Sequence, residues 1–211
     1  MAEMADVTKN GIIVSPSSGS GNTELKVKAQ RANQGNRTIQ TATYTVQPQG
    51  GTSKTLIANL EAANEFVKFT NGTTQAVDKG GGVITITGTS NSTKLTFTKG
   101  SGDIVTADIA SISYQAAGKS TVNGAAIVGD PGATASYNFI LTLNAAANTT
   151  VKARSQQITV KANSTSVTAT ITLNQTEGDP TLSINPETVT VPQDGSEVSV
   201  QVTTNTTFTV S

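Results

Sequence analysis

The chain has 211 residues, a formal net charge of zero, only 13% charged and 4% aromatic residues, and neither cysteine nor histidine. Without those two residue types, disulfide bonds, thiolate nucleophiles, histidine-based catalytic triads and imidazole zinc sites are excluded. The neutral balance gives no electrostatic attraction for nucleic acid or an anionic membrane, so neither is expected as a partner.

The first ten residues, MAEMADVTKN, are acidic and polar. They contain no cationic region followed by an apolar run, so they do not resemble a secretory signal peptide. We predict that residues 1–7 form an N-terminal arm, extended by Thr8, Lys9 and Asn10, that can order against a shell of other proteins. Synthesis in a cytoplasm, with use there or in a particle, is the corresponding expectation.

Alternating apolar residues predict many short strands, whose apolar faces predict the core. In chain order these residues are Leu25, Val27, Ala29, Ala42, Tyr44, Val46, Ile84, Ile86, Leu95, Phe97, Tyr137, Phe139, Leu141, Leu143, Ile158, Val160, Val167, Ala169, Ile171 and Leu173. Residues 56–66 alone have partial helical spacing, which predicts a turn at most. Glycine- and asparagine-rich turns lie between the strands, a pattern typical of β-sandwiches. The sequence therefore predicts an all-β chain.

A repeat with an offset of 114 residues relates the middle of the chain to its C-terminal part. Residues 77–87, VDKGGGVITIT, resemble residues 191–201, VPQDGSEVSVQ, and Asn91 then corresponds to Asn205. A fainter relation places a strand directly before Pro16 and before Pro186. Repeated units of this kind predict tandem modules.

The repeat and the strands before Pro16 and Pro186 mark where the modules begin, and they divide the chain into an N-terminal arm and three Ig-like units. We predict Ig-like sandwiches over residues 8–62 and 63–178, and the beginning of a third, incomplete module over residues 179–211. An open half-sandwich with unpaired edges is an aggregation hazard. The third module is therefore expected either to continue in a longer protein or to be completed by another chain.

The aspartates do not form a pattern that points to catalysis. Asp103 with Asp108, and Asp130 with Asp179, can be imagined as carboxylate pairs, but their spacing does not bring them together. Aspartates in loops usually cap turns. We therefore expect a protein that is not an enzyme.

Two glycine-containing segments have a site-like and a structural interpretation. Residues 129–132, GDPG, could bind calcium but lack the dense Asp/Asn ladder of a calcium loop, so they predict a type I or II turn. Residues 80–82, GGG, are followed by neither a Lys-Ser/Thr pair nor a helix, so they predict a turn between strands rather than a phosphate loop. No cofactor or metal is expected.

The C-terminal stretch LSINPETVTVPQDGSEVSVQVTTNTTFTVS resembles the opening of a BACON domain, the Ig-like module of gut Bacteroidetes and their phages. Phe208 stands where that family has tryptophan. The matching positions of the family pattern are filled by Asn185, Pro186, Val189, Val191, Gly195, Val198, Val200, Val202, Thr204 and Asn205. The segment IIVSPSSGSGNTELKVKAQRANQGNRT resembles Ig-like modules in virion proteins of phages of the same hosts, which include the crAss-like phages. The resemblance covers the last 30 residues well, the first 60 loosely, and the middle only through the repeat.

This resemblance implies a structural protein of a bacteriophage virion. Capsid decoration, an auxiliary capsid protein or a head fibre is favoured over a tail accessory. The expected partners are the major capsid protein or other virion proteins, with many copies on each particle. Such a protein is made in the host cytoplasm and resides in the virion.

Two alternatives remain from the sequence. The first is a carbohydrate- or mucin-binding module, the role proposed for the resembled family, which needs exposed aromatic rings for host or mucin glycans. Tyr44 and Tyr137 lie on inward faces, so Tyr114 and Phe208 are the candidate glycan contacts. The second is a bacterial surface adhesin, which requires an export signal.

Overall fold

The computed structural model describes residues 5–114 and 119–211, and the fold is all-β, as predicted. The described residues contain one short 3₁₀ helix, η1 (Pro131–Ala133). Their sixteen strands are β1 (Val7–Lys9), β2 (Ile12–Ser15), β3 (Lys26–Ala29), β4 (Gln40–Val46), β5 (Lys54–Leu60), β6 (Val67–Phe69), β7 (Thr74–Val77), β8 (Gly82–Ser90), β9 (Thr96–Lys99), β10 (Ser111–Tyr114), β11 (Ser120–Val122), β12 (Tyr137–Ala145), β13 (Arg154–Lys161), β14 (Thr168–Gln175), β15 (Leu182–Asn185) and β16 (Gln201–Thr204).

The middle of the chain is an Ig-like β-sandwich. One sheet has the strand order β6-β8-β12-β10-β11 and the other has the order β7-β14-β13-β9. All pairs are antiparallel except β7 with β14, which run parallel. With β6 and β7 as strands A and A′ and β14 as strand G, these orders become A-B-E-D and A′-G-F-C. That is the strand arrangement of immunoglobulin domains, here with β11 added at one edge.

Both sheets of the middle module contribute to one apolar core, as the alternating pattern predicted. The rings of Phe69 and Phe97 pack against Phe139, with centroids 6.1 Å and 5.5 Å from its ring. Val167 and Ala169 pack at the border of this core and are half-buried. The other residues predicted for the middle core are buried: Ile84, Ile86, Leu95, Phe97, Tyr137, Phe139, Leu141, Leu143, Ile158, Val160, Ile171 and Leu173.

The buried phenol of Tyr137 makes the stability of the middle module depend on pH in the alkaline range. Its ring is buried and its hydroxyl donates a hydrogen bond of 2.8 Å to the Ser92 carbonyl. Burial raises the pKa of the Tyr137 phenol from 10.0 to about 12. The folded state therefore keeps the phenol neutral at pH values where the unfolded chain ionises it. This contribution to stability is complete below pH 10 and is lost as the pH rises towards 12.

We expect Tyr137→Phe to flatten the alkaline loss of stability. Between pH 10 and pH 12 the free energy of unfolding of the wild type should fall by about 2 kcal/mol more than that of the variant. Urea denaturation at several pH values measures both slopes. Equal slopes in the two proteins would contradict a buried, neutral phenol.

A smaller N-terminal unit has its own buried cluster. Sheet β1-β2-β3 and sheet β4-β5 together bury Ile12, Val14, Ala42, Tyr44 and Ala58. The Tyr44 hydroxyl donates a hydrogen bond of 2.6 Å to the Ile12 carbonyl, which joins the two sheets. This cluster is separate from the core of the middle module.

The prediction of an N-terminal arm is wrong for residues 7–10. Strand β1 pairs with β2 in a hairpin, with Lys9 opposite Ile12. The two residues between them, Asn10 and Gly11, have φ angles of 47° and 72°. Positive φ at both positions is the geometry of a type I′ hairpin turn, which Asn-Gly favours. Residues 1–4 of the predicted arm lie outside the described residues.

The predicted core positions Leu25, Val27 and Val46 are also wrong. Leu25 and Val27 are 37% and 45% exposed, and Val46 is exposed as well. The opposing sheet has only two strands, so it is too narrow to cover an edge strand such as β3. The prediction of a turn at most within residues 56–66 is also wrong. The side chains at positions 56, 58 and 60 alternate towards the buried cluster, and the segment pairs with β4 as strand β5.

The C-terminal unit is a two-stranded antiparallel sheet of β15 and β16. β2 ends directly before Pro16 and β15 ends directly before Pro186, as predicted. Gly195 has a φ of 78° and matches Gly81, at 74°, in the preceding module. The apolar side chains of this unit are largely exposed: Leu182, Ile184, Val189, Val191, Val198, Val200, Phe208 and Val210.

Candidate functional site

The two candidate glycan contacts lie in very different surroundings. Tyr114 is only 2% exposed, its ring meets Tyr137 edge-on at 6.4 Å, and its hydroxyl donates to the Val128 carbonyl at 3.2 Å. The prediction of Tyr114 as a sugar platform is therefore wrong, because β10 turns this ring into the core. Phe208 is 51% exposed. The remaining tyrosines and phenylalanines are buried or half-buried, so Phe208 is the only exposed aromatic ring among residues 5–114 and 119–211.

Each of the four aspartates considered as members of carboxylate pairs forms an ion pair with a different lysine or arginine. Asp103 pairs with Arg154 at 3.0 Å, and Asp108 with Lys99 at 3.4 Å. Asp130 pairs with Arg37, and Asp179 pairs with Lys79 at 2.5 Å. Over residues 5–114 and 119–211, no three acidic side chains come together as a metal site. These carboxylates join loops and modules rather than forming a dyad.

The two glycine-containing segments are turns. Gly81 and Gly82 have φ angles of 74° and 111°, and the Gly81 amide donates to the Asp78 carbonyl at 2.9 Å before β8 begins. The prediction of a turn between strands at residues 80–82 is confirmed. At residues 129–132 the predicted turn with Pro131 inside it lies one residue later, because the Ala133 amide donates to the Asp130 carbonyl at 3.0 Å. Asp130 has a φ of 36°, and the segment continues as η1, which contacts Arg37 of the N-terminal unit.

A buried asparagine joins the N-terminal unit to the middle module. Asn91, at the end of β8, is fully buried. Its carboxamide oxygen accepts from the Phe66 amide at 2.8 Å. Its nitrogen donates to the Asn64 carbonyl at 2.9 Å and to the Gly35 carbonyl at 3.1 Å. One side chain therefore binds the linker and a loop of the preceding unit.

A second asparagine shapes that loop. Asn33 accepts from the amides of Gly35 and Asn36 at 3.1 Å and 2.7 Å, and donates to the carbonyls of Asn36 and Glu61, both at 2.8 Å. The Ala63 amide also donates to the Asn36 carbonyl at 2.7 Å. The loop before β4 is thus tied to the chain that leaves β5.

The same bonds recur at the junction between the middle module and the C-terminal unit. Asn205 accepts from the Thr181 amide at 2.8 Å. It donates to the Asp179 and Thr149 carbonyls, both at 2.9 Å. Asn205 thus repeats every bond of Asn91 at a shift of 114 or 115 residues.

The loop asparagine is repeated as well. Asn148 accepts from the Thr150 amide at 3.1 Å and donates to the carbonyls of Lys152 and Thr176 at 2.7 Å and 2.9 Å. The Gly178 amide donates to the Thr150 carbonyl at 2.7 Å, as Ala63 does to Asn36 at the first junction. Two successive junctions therefore share one hydrogen-bonding scheme.

Each junction has further contacts of its own. At the first, Arg37 pairs with Asp130 and donates to the Gly132 carbonyl at 3.2 Å, and Thr38 donates to the Ala133 carbonyl at 2.9 Å. At the second, the hydrogen bond from Lys79 to Asp179 raises the pKa of the lysine. Sequence analysis identified Asn91 and Asn205 through the repeat, but it missed their partners, which lie up to 56 residues away.

Among known proteins, solved structures show similarity to this chain, whereas family models do not. No family model matches it, and no curated protein does. One similar solved structure is the Bacteroides ovatus GH5 xyloglucanase in complex with a XXXG heptasaccharide. It is 14% identical, with a TM-score of 0.31 over 53% of this chain and 19% of that chain. Another comprises zebrafish RET cadherin-like domains 1 to 4. It is 11% identical, with a TM-score of 0.35 over 82% of this chain and 39% of that chain.

The chain thus spans less than half the length of either solved structure. TM-scores of this size do not establish a shared domain arrangement. In the described part of the chain, no helix is long and apolar enough to cross a membrane.

Proposed function

We propose that the chain is a non-enzymatic structural protein of a bacteriophage virion, built of BACON-related Ig-like modules. Capsid decoration, as an auxiliary capsid protein or a head fibre, is the role that we favour. The observation that carries this proposal is the repeated junction, in which Asn91 and Asn205 make the same bonds to the preceding unit. A protein that extends from a particle needs such repeated, rigid joints between its modules.

The surface chemistry supports the same proposal. A decorating protein has to present stable, inert modules in many copies, and it needs no reactive group. Within residues 5–114 and 119–211, four ion pairs tie loops and modules together. Lysine and arginine number only 14 in 211 residues, which leaves few sites for trypsin-like proteases of the gut. The major capsid protein or another virion protein is the proposed partner.

Density-gradient sedimentation of native phage-infected host lysate tests this proposal. Mass spectrometry would follow the tryptic peptide of residues 120–152, which lies between Lys119 and Lys152. We expect the peptide to band with DNA-filled particles. Recovery only with the cell envelope, or only free at the top of the gradient, would overturn the virion proposal and favour an adhesin.

A second candidate function is weak glycan binding by many copies, because Phe208 is exposed on the C-terminal unit. Stacking of one ring on a sugar is feeble, but multivalent display multiplies its effect. Mucin-coated beads loaded with the chain would show retention that Phe208→Ser abolishes. Equal retention of the variant, or none for the wild type, would remove this candidate.

A further inference from the structure

We propose that Asn71 is a site of spontaneous deamidation, in which the amide nitrogen of Gly72 attacks the side chain and Thr87 supplies hydrogen bonds that promote the attack. The product is an aspartyl or isoaspartyl residue in the turn between β6 and β7. This modification site goes beyond the virion proposal and does not depend on it.

The sequence contains three Asn-Gly pairs, and only the fold distinguishes them. Asparagine is a thermolabile residue, and a following glycine leaves the main-chain nitrogen open to the carboxamide because glycine has no side chain. All three pairs therefore have the local chemistry, and the contacts of each pair decide its reactivity. The pairs are Asn10-Gly11, Asn71-Gly72 and Asn123-Gly124.

Two groups of one residue hold the carboxamide oxygen of Asn71. Thr87 donates to this oxygen from its main-chain amide at 2.6 Å and from its hydroxyl at 2.7 Å. The hydroxyl oxygens of Thr70 and Thr87 are 2.6 Å apart, so Thr70 donates to Thr87 when Thr87 donates to Asn71. Negative charge develops on the carboxamide oxygen when a nucleophile attacks the adjacent carbon, and donors aimed at that oxygen stabilise the charge.

The nucleophile and the leaving group of this pair are accessible. Asn71 and Gly72 are both exposed, and the Gly72 amide has no hydrogen-bond partner within residues 5–114 and 119–211. The side-chain nitrogen of Asn71, which has to leave, donates one bond of 3.2 Å to the side chain of Gln75. A single long bond to a flexible side chain is a small obstacle to its departure.

Deamidation proceeds in two steps with water and hydroxide as the only co-reactants. Hydroxide removes the proton of the Gly72 amide, the nitrogen forms a bond to Cγ of Asn71, and the Cγ–Nδ2 bond breaks. Nδ2 takes a proton from water and departs as ammonia, which leaves a cyclic succinimide. Water then opens the succinimide at either carbonyl to give aspartate or isoaspartate. The chain gains one carboxylate, so its formal net charge of zero falls by one.

The surroundings of Asn71 also fit the aspartyl product. A carboxylate only accepts hydrogen bonds, and both groups of Thr87 at this position are donors. Gln75 can turn its carboxamide so that the nitrogen faces the new carboxylate. Hydrogen bonds to the charged form stabilise it, so aspartate at position 71 should leave the turn intact.

Asn123 is held against the same reaction. Its oxygen accepts from the Phe97 amide at 2.8 Å, and its nitrogen donates to the carbonyls of Phe97 and Ile109, both at 2.9 Å. The Gly124 amide donates to the Leu95 carbonyl at 3.0 Å. The leaving group is thus tied twice and the nucleophile once, and a carboxylate in this place would face two carbonyl oxygens. The fold should therefore protect Asn123.

Asn10 has some of the restraints of Asn123 and none of the donors of Asn71. Its nitrogen donates to the Thr41 carbonyl at 2.8 Å, and its oxygen accepts no hydrogen bond in the described part of the chain. The hairpin of β1 and β2 fixes the main chain on both sides of the pair. Without donors to stabilise the oxygen under attack, Asn10 should react more slowly than Asn71.

Incubation of the folded 211-residue chain at mildly alkaline pH, followed by tryptic digestion and mass spectrometry, compares the three sites. Each Asn-Gly pair falls in its own peptide: residues 10–26, 69–79 and 120–152. We expect Asn71 to convert at least about tenfold faster than Asn123, and faster than Asn10. In urea the three sites should react at similar rates, because sequence alone then sets them. Faster conversion of Asn10 or Asn123 than of Asn71 in the folded chain would overturn the proposal.

A variant of Thr87 tests whether its hydrogen bonds promote the reaction. Thr87→Val removes the hydroxyl donor and keeps the main-chain amide, so the rate at Asn71 in the folded chain should fall about tenfold. This is less than for a donor in an enclosed active site, because water reaches the turn. Thr85→Val makes the same change at the preceding outward position of β8 and should leave the rate as in the wild type.

Circular dichroism would verify that both valine variants are folded, and Asn71→Asp supplies the chromatographic reference for the aspartyl product. In urea, Thr87→Val should react at the wild-type rate. An unchanged or higher rate in folded Thr87→Val, or an equal fall in Thr85→Val, would contradict the role of Thr87. The comparison of Asn71 with Asn10 and Asn123 in the wild type needs no variant, so it decides the proposal even if Thr87→Val does not fold.

Discussion

Replacing Asn91 with alanine is expected to lower the free energy of unfolding by about 3 kcal/mol. The side chain is fully buried and binds three main-chain groups: the Phe66 amide and the carbonyls of Asn64 and Gly35. Alanine leaves all three without a partner in a site that water does not reach. Each orphaned group costs about 1–3 kcal/mol, partly offset by relaxation of the linker.

Two further variants serve as references for the loss of stability in Asn91→Ala: one at the equivalent position of the second junction and one at an exposed asparagine. Asn205→Ala removes the equivalent bonds at the second junction, but Asn205 is half-buried and water can replace part of them, so about 1 kcal/mol is expected. Asn138→Ala changes an exposed residue on the outer face of β12 and should have an effect within about 0.5 kcal/mol. Urea denaturation of the three variants measures this order.

Proteolysis then shows whether the loss is local to the junction. Glu61 and Glu65 flank the linker, so a glutamate-specific protease can cut there once it opens. Asn91→Ala should be cut faster at these residues, whereas Asn138→Ala should be cut like the wild type. If Asn91→Ala matched Asn138→Ala in both stability and cleavage, the buried junction described here would be wrong.

The sequence predicted the middle module well because each apolar face there meets a full opposing sheet. Alternation at Tyr137, Phe139 and Leu141 is enough to locate the core when something lies across from every strand. The same rule failed at Leu25 and Val27, which have the same alternation but no sheet wide enough to cover them. Period-two patterns identify a strand, whereas burial depends on the neighbouring elements.

Local turn signals carried information that was not used in the prediction. Asn10-Gly11 is a strong hairpin signal, and it explains why residues 7–9 pair with β2 rather than forming an arm.

The burial of Tyr114 could have been predicted from the spacing of apolar residues. Ile112 and Tyr114 alternate on β10, and both are buried. An aromatic residue that alternates with another apolar residue on a strand is expected to face the core.

The junctions could be only partly predicted. The repeat equates Asn91 with Asn205, but no local pattern connects Asn91 to Gly35 or Asn205 to Thr149, 56 residues earlier in each case. Those contacts depend on how one unit stacks on the next. Only the fold reveals that Asn33 and Asn148 also correspond.

Replacing Gly88 with alanine is expected to destabilise the middle module by about 3 kcal/mol. Gly88 lies on β8 between Phe69 and Phe139 of the neighbouring strands. An added Cβ would lie 2.1 Å from Cζ of Phe139 and 2.5 Å from the carbonyl oxygen of Lys68. The ring has to leave its place in a close-packed core, and the sheet has to bend. Gly100→Ala, where the nearest atom lies at 3.4 Å, is the control and should have an effect within about 0.5 kcal/mol.

A double variant separates the clash with the ring from the clash with the backbone. Phe139→Leu alone should cost about 2 kcal/mol, because it leaves a void among Phe69 and Phe97. In Gly88→Ala/Phe139→Leu the shorter side chain makes room for the new methyl group. The combined loss should therefore be about 1–2 kcal/mol smaller than the sum of the single losses. The contact with the Lys68 carbonyl remains, so recovery stays partial. Strictly additive losses in urea denaturation would mean that the ring does not occupy the space above Gly88, and the packing of the two sheets would need a different explanation.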